Sequence, residues 1–167
     1  MTKHSERTLI LLRHAKSDRS GNEPDVARPL AKRGQREAPE AGRWLAEQVD
    51  SIDLAIVSPA TRARDTWELA SAEFDTPPSV RFDERVYAAS AKQLLGVVRE
   101  LPDDVHTIVL VGHNPAMEEL ASLLADDEVS MPTSALAVFR VRASWAALDS
   151  DATTLTASGR ADGSVLT

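Results

Sequence analysis

Three short runs constrain this chain more than anything else in it: TLILLR at 8–13, DLAIVS at 53–58 and HTIVLVG at 106–112. Each is nearly continuous in Leu, Ile and Val. A strand with one wet face alternates apolar and polar residues, whereas a strand covered on both faces does not, and strands of the second kind pair in parallel beneath layers of helix. The runs therefore predict a central sheet buried on both sides.

Helical patterns separate the runs, as parallel connections require. Ala38, Ala41, Leu45 and Val49 recur at helix spacing within 37–49, with Pro39 in a first turn or at a kink. Ser58 is placed to cap a second helix with Pro59 at its first position, and Ala63, Trp67, Ala70 and Phe74 form its inward face. Asn114 and Pro115 repeat the device before the stripe Met117, Leu120, Ala121 and Leu124. A weaker helix fills 91–101, and 135–141 and 153–158 are two further strands. The order predicts a three-layer α/β/α sandwich with a mostly parallel central sheet. At 167 residues the chain is expected to form one domain, with residues 1–7 frayed.

Composition removes several kinds of chemistry. Without cysteine there is no disulfide, no thiolate zinc site and no cysteine nucleophile. A formal charge of −7 argues against nucleic acid or a membrane surface as partner. No run is long enough to span a bilayer and no basic-then-apolar signal opens the chain, which predicts a cytoplasmic protein. The absence of a large apolar surface stripe predicts a monomer.

In open α/β sheets, ligands bind beyond the carboxyl ends of the strands. The first run ends in Arg13 and His14, the second leads through Ser58 into a helix carrying Arg62 and Arg64, and the third ends in Gly112, His113 and Asn114. Guanidinium groups grip phosphoryl oxygens bidentately and helix N-termini favour anions, so this rim is suited to a phosphate. Arg62 and Arg64 lie roughly 200° apart around a helix and cannot both point at one small ligand. Arg62 is nearer the strand end and is the candidate; Arg64 is expected at the surface, near Glu68. A backbone carbonyl holding Nδ1–H of His14 would leave Nε2 free to attack phosphorus, although a histidine after a strand can equally be a polar boundary residue. His4 and His106 are expected to be structural or incidental. The polar segment 15–29 is either a lid or a plain surface loop.

The motifs LLRHAKS, VSPATRARDT and VLVGHNP, in that order, resemble the histidine phosphatase superfamily with its phosphoglycerate-mutase-like fold, Ala15 standing where Gly commonly follows the Arg-His pair. RPLAKRG at 28–34 and TSALAVF at 133–139 resemble the SixA-type phosphohistidine phosphatases in particular. The resemblance implies that His14 is the nucleophile, with Arg13, Arg62 and His113 around the phosphoryl oxygens; the arginines and a protonated His113 are expected to stabilise the charge on those oxygens. It also implies turnover through a phosphohistidine enzyme, on a phosphorylated protein (phosphohistidine) or a small phosphorylated substrate. Larger members supply an acidic proton donor, whose nearest counterparts here are Asp83 and Glu84 in FDERVYAAS; Glu84 is carried as donor or, equally, as a surface charge. Arg28 is expected either to line the site mouth or to be an exposed loop arginine. No cofactor is implied, and no carboxylate cluster of metal-binding spacing appears. A small-molecule phosphomonoesterase, or a phosphate-binding module without turnover, would share these motifs.

Overall fold

The computed structural model describes residues 6–161. The three apolar runs become β1 (Arg7–Arg13), β2 (Leu54–Val57) and β4 (Thr107–Gly112), and the late pair becomes β5 (Ala135–Val141) and β6 (Thr153–Arg160). A further strand, β3 (Ser79–Phe82), lies at the sheet edge. The helices are α1 (Lys32–Gln48), α2 (Thr61–Ser71), α3 (Ala91–Arg99) and α4 (Ala116–Ala125). The strand order is β3-β2-β4-β1-β5-β6, parallel from β3 to β1 and antiparallel at β5 and β6.

The continuous runs occupy the middle of this sheet, with Leu9–Leu12 and Ile108–Val111 fully buried. Ile10, Leu12, Ala55, Val57, Val109 and Val111 meet Ala41 and Leu45 of α1 and Ala63, Trp67 and Ala70 of α2. Leu9, Leu11, Ile56, Ile108 and Leu110 point the other way, onto Leu94 and Val98 of α3 and Met117, Leu120 and Leu124 of α4. Three layers follow. Each fully buried Leu or Ile stabilises this arrangement by about 1.5–3 kcal/mol, which fixes the strand register firmly. Among the described residues no helix is long and apolar enough to cross a membrane.

Register is what builds the rim. Arg13 pairs with Gly112 and Val57 with Val111, so His14, Ser58 and His113 all emerge at the same edge. On the other side Leu12 pairs with Leu136, which brings Ser134 beside His14.

The structure departs from the sequence expectations in several places. Arg7, expected in a frayed terminus, is buried at the start of β1 and donates to the carbonyls of Ala143 and Asp103; His4 lies outside the described residues. α1 starts at Lys32, before the expected 37, because its buried stripe continues through Gly34 and Glu37, which carry no apolar signature. A Cβ at Gly34 would strike the Lys16 carbonyl, so this turn can lie against the loop only without a side chain. Ala60, not Ser58, occupies the N-cap of α2, and Pro115, not Asn114, that of α4. β3 escaped detection because it is only four residues long and exposed throughout, so its alternation of Ser79 and Arg81 with Val80 and Phe82 is too short to stand out.

Candidate active site

His14 sits one residue past β1 with its backbone fixed on both sides. Its N–H donates to the Gly112 carbonyl at 3.0 Å and its carbonyl accepts from Ser134 N–H at 3.1 Å. The next amide, Ala15 N–H, donates to the Thr66 hydroxyl at 2.9 Å, and that hydroxyl donates to the Arg62 carbonyl at 2.7 Å. The ring is anchored as firmly as the chain: Nδ1 lies 2.7 Å from the Ala15 carbonyl. A carbonyl only accepts, so Nδ1 carries the proton and Nε2 keeps its lone pair. Burial pushes the imidazole down to about 3, against the raising effect of the Ala15 carbonyl, and the charges of Arg62 and Arg13 push the same way. The ring is therefore neutral and nucleophilic at neutral pH.

His113, one residue past β4, places its ring centroid 5.0 Å from that of His14. Its Nε2 is 2.8 Å from Ser58 Oγ. That hydroxyl already accepts from Ala60 N–H, and its own hydrogen needs an acceptor. His113 Nε2 supplies one, which leaves the proton on Nδ1. Nδ1 is buried and has no hydrogen-bond partner among the described residues. Burial lowers this imidazole to about 4, assisted by Arg62 and opposed by Asp25. The protonated His113 expected from the sequence is thus not the form these surroundings favour: burial and the guanidinium charge make it a neutral N–H donor.

The two arginines are held by carbonyls. Arg13 donates from Nη1 to the Met131 carbonyl at 3.1 Å. Arg62, 5% exposed, gives both terminal nitrogens to one residue, Nη1 to the Asp25 carbonyl at 2.7 Å and Nη2 to Asp25 Oδ2 at 3.1 Å. In each guanidinium Nε is buried with no partner among the described residues. Buried donors rarely stay unpaired, and anionic oxygens are their natural acceptors.

Segment 15–29 is docked on the rim through Asp25. Besides Arg62, its carboxylate accepts from Tyr87 Oη at 2.6 Å and from Arg28 Nε at 3.1 Å. The Tyr87 hydroxyl, then Arg62 and Arg28, hold the carboxyl well below the ordinary carboxylate range despite the opposing cost of burial. Arg28 also donates to Ser17 Oγ at 2.8 Å, which puts it at the mouth of the site rather than free in solvent. The Tyr87 ring meets that of His113 edge-on at 5.7 Å.

Other candidates stand elsewhere. Glu84 is exposed in a 3-10 turn, Glu84–Val86, where its carbonyl accepts from Tyr87 N–H but its carboxylate has no hydrogen bond to the rim among the described residues, and Asp83 is engaged by Arg85 and Arg81. Arg64 is exposed, with its guanidinium 4.6 Å from the Phe82 ring centroid rather than paired with Glu68. His106 is exposed ahead of β4, its amide on Asp53. Sequence reasoning missed Asp25 and Tyr87 as rim residues and Ser58 as a partner of His113. It also missed Glu37, which binds Lys16 N–H and Arg33 Nε and so braces the turn after His14. A polar residue at a buried helix position, as Glu37 is, was the one available signal. Among the described residues no three His, Cys, Asp or Glu side chains are placed to hold a metal.

A family model, histidine phosphatase superfamily (branch 1), matches residues 9–88. A solved structure assigned as the phosphohistidine phosphatase SixA of Nakamurella multipartitia superposes with a TM-score of 0.84 at 25% identity, covering 94% of this chain and 97% of that one. The chain belongs to the histidine phosphatase superfamily. Within the superfamily it is of the SixA type, its sheet and helices form the phosphoglycerate-mutase-like fold, and it is a phosphatase. An uncharacterised protein of Mycobacterium tuberculosis is 39% identical over 146 residues, 81% of this chain and 90% of its own length. A phosphohistidine phosphatase SixA homolog of Haemophilus influenzae is 27% identical over 127 residues, 70% of this chain and 76% of its own.

Proposed function

We propose that this phosphatase removes the phosphoryl group of phosphohistidine through a covalent intermediate on His14. The observation that carries the reading is the 2.7 Å contact between His14 Nδ1 and the Ala15 carbonyl, which leaves Nε2 as an unprotonated nucleophile at the rim. Nε2 attacks phosphorus in line as the bond to the leaving group breaks. Arg13, the Nε edge of Arg62 and Nδ1–H of His113 receive the equatorial oxygens, where charge stabilisation contributes most to phosphoryl transfer. Water then attacks the phosphorylated ring, the P–N bond returns its electron pair to His14 Nε2, and orthophosphate leaves with the water's protons.

The state of the rim carboxylate bears on the leaving group. Its carboxylate, Asp25, is held ionised by Tyr87, Arg62 and Arg28 and cannot act as a general acid. An alkoxide departs poorly without a proton, whereas the imidazole of phosphohistidine needs less help. The cations around the phosphoryl group are guanidinium groups, so activity is expected to persist in excess chelator.

The test is a substrate panel with labelling. A ³²P-phosphohistidine protein should leave an acid-labile label on the wild type and none on His14→Ala, and should be turned over faster than p-nitrophenyl phosphate. Hydrolysis of phosphomonoesters with indifference to phosphohistidine would make this a small-molecule phosphomonoesterase. Phosphate-competitive binding with neither label nor turnover would make it a binding module.

A further inference from the structure

Asp25 is both anchored and open. Its side chain is 55% exposed although three groups bind it, Tyr87 and Arg62 on Oδ2 and Arg28 on Oδ1. An ionised carboxylate accepts about four hydrogen bonds, so one acceptor position remains, on the oxygen that carries a single partner. The same guanidinium whose terminal nitrogens hold Asp25 turns its Nε edge away from it, and the tyrosine that holds Oδ2 lies edge-on against His113. The carboxylate thus stands beside the phosphoryl clamp and open to solvent.

We infer that Asp25 recognises the leaving group, accepting the N–H of the substrate imidazole and so selecting phosphohistidine with its ring protonated over phosphate esters. The inference rests on the phosphohistidine reading above. In such a substrate one ring nitrogen bears phosphorus and the other bears a proton, and the ring is cationic. Asp25 pairs with that cation. As His14 Nε2 bonds to phosphorus, the electron pair of the old P–N bond stays on the substrate ring, which leaves as neutral imidazole with its remaining N–H on Asp25. No separate acid is consumed. An ester offers no such donor and sets its own negative charge against the carboxylate. The charged and titratable groups facing Asp25 are Arg62 from α2, Arg28 from its own loop, Tyr87 after the Glu84–Val86 turn and His113 at the end of β4.

Asp25→Asn tests this, because the amide keeps an acceptor for Arg62 while losing the charge. The ratio of kcat/KM on a phosphohistidine peptide to that on p-nitrophenyl phosphate should fall at least tenfold. On the peptide alone, the alkaline limb of the pH profile should move down by about one unit, as removal of a nearby opposite charge predicts. Inhibition by inorganic phosphate reports separately that the clamp is intact. Equal losses on both substrates would mean that Asp25 only positions Arg62, and an unchanged ratio would mean that it reads nothing; either overturns the inference. A wild type active on the ester and inert on phosphohistidine overturns the functional reading itself, and this inference with it.

Discussion

The ends of β1 and β4 look alike and are built differently. Both strands are buried through their middle, both lead into an imidazole, the rings lie 5.0 Å apart, and burial keeps both neutral. His14, however, is oriented by the carbonyl of its own neighbour, Ala15, while His113 is oriented by a side chain, Ser58, from the end of β2. A tautomer held by backbone survives any single substitution around it. One held by a hydroxyl can be undone by removing one oxygen, and this asymmetry suits a nucleophile that must never be wrongly protonated and a donor whose role is supporting.

The largest effect that would break the pairing is loss of the nucleophile. His14→Ala should reduce kcat by on the order of 10⁴-fold or more and abolish the acid-labile label, since no other group at the rim can form the intermediate. His113→Ala should cost about 10²–10³-fold in kcat, the scale for one donor to the transition state, while labelling still occurs slowly. Comparable losses with no label in His113→Ala would show that the two rings are not divided in this way.

Ser58→Ala sharpens the contrast. Freed from the hydroxyl, His113 can place its proton on Nε2, so kcat should drop roughly tenfold, the cost of about 1.4 kcal/mol, with KM for phosphate esters little changed. Ser58→Thr, which restores a hydroxyl, should recover most of it; a variant equal to wild type would remove Ser58 from the positioning of His113.

The smallest expected effect is an absence of change. Followed by NMR, both imidazoles should stay neutral between about pH 8 and pH 5 in the free enzyme, because their folded values are near 3 and 4. Both values lie below the ordinary 6.5, so the unfolded chain binds more protons between the two limits. Stability should therefore be complete above about pH 6.5 and decline as the pH falls toward 4 and then 3, visible as a falling urea midpoint. Titration of either ring near 6.5 would contradict the burial argument.

How much of this was legible in the residues depends on where the signal lay. The parallel strands announced themselves because burial on both faces leaves no room for polar residues, and β5 at 135–141 was found to the residue. β3 and the first turn of α1 did not, since four exposed residues are too short a run for their alternation to register and the α1 stripe there is made of Gly34 and Glu37. At the rim, Arg13, His14, Arg62 and His113 were legible because strand-end and helix-start positions converge in any such sheet. Asp25 and Tyr87 were not, being 62 positions apart in segments without regular pattern.

The order of buried strands, the helices between them and the convergence of two imidazoles with two arginines are properties of the sequence alone, because hydrophobic periodicity is local and chain order dictates which strand ends share an edge. What only the tertiary structure decided is the state of those groups. The neutrality of His113, the tautomer that Ser58 sets, and the capture of Arg62 by Asp25 depend on burial and on contacts between distant segments. Desolvation and hydrogen-bond satisfaction act over a few ångströms in space, whatever the separation along the chain.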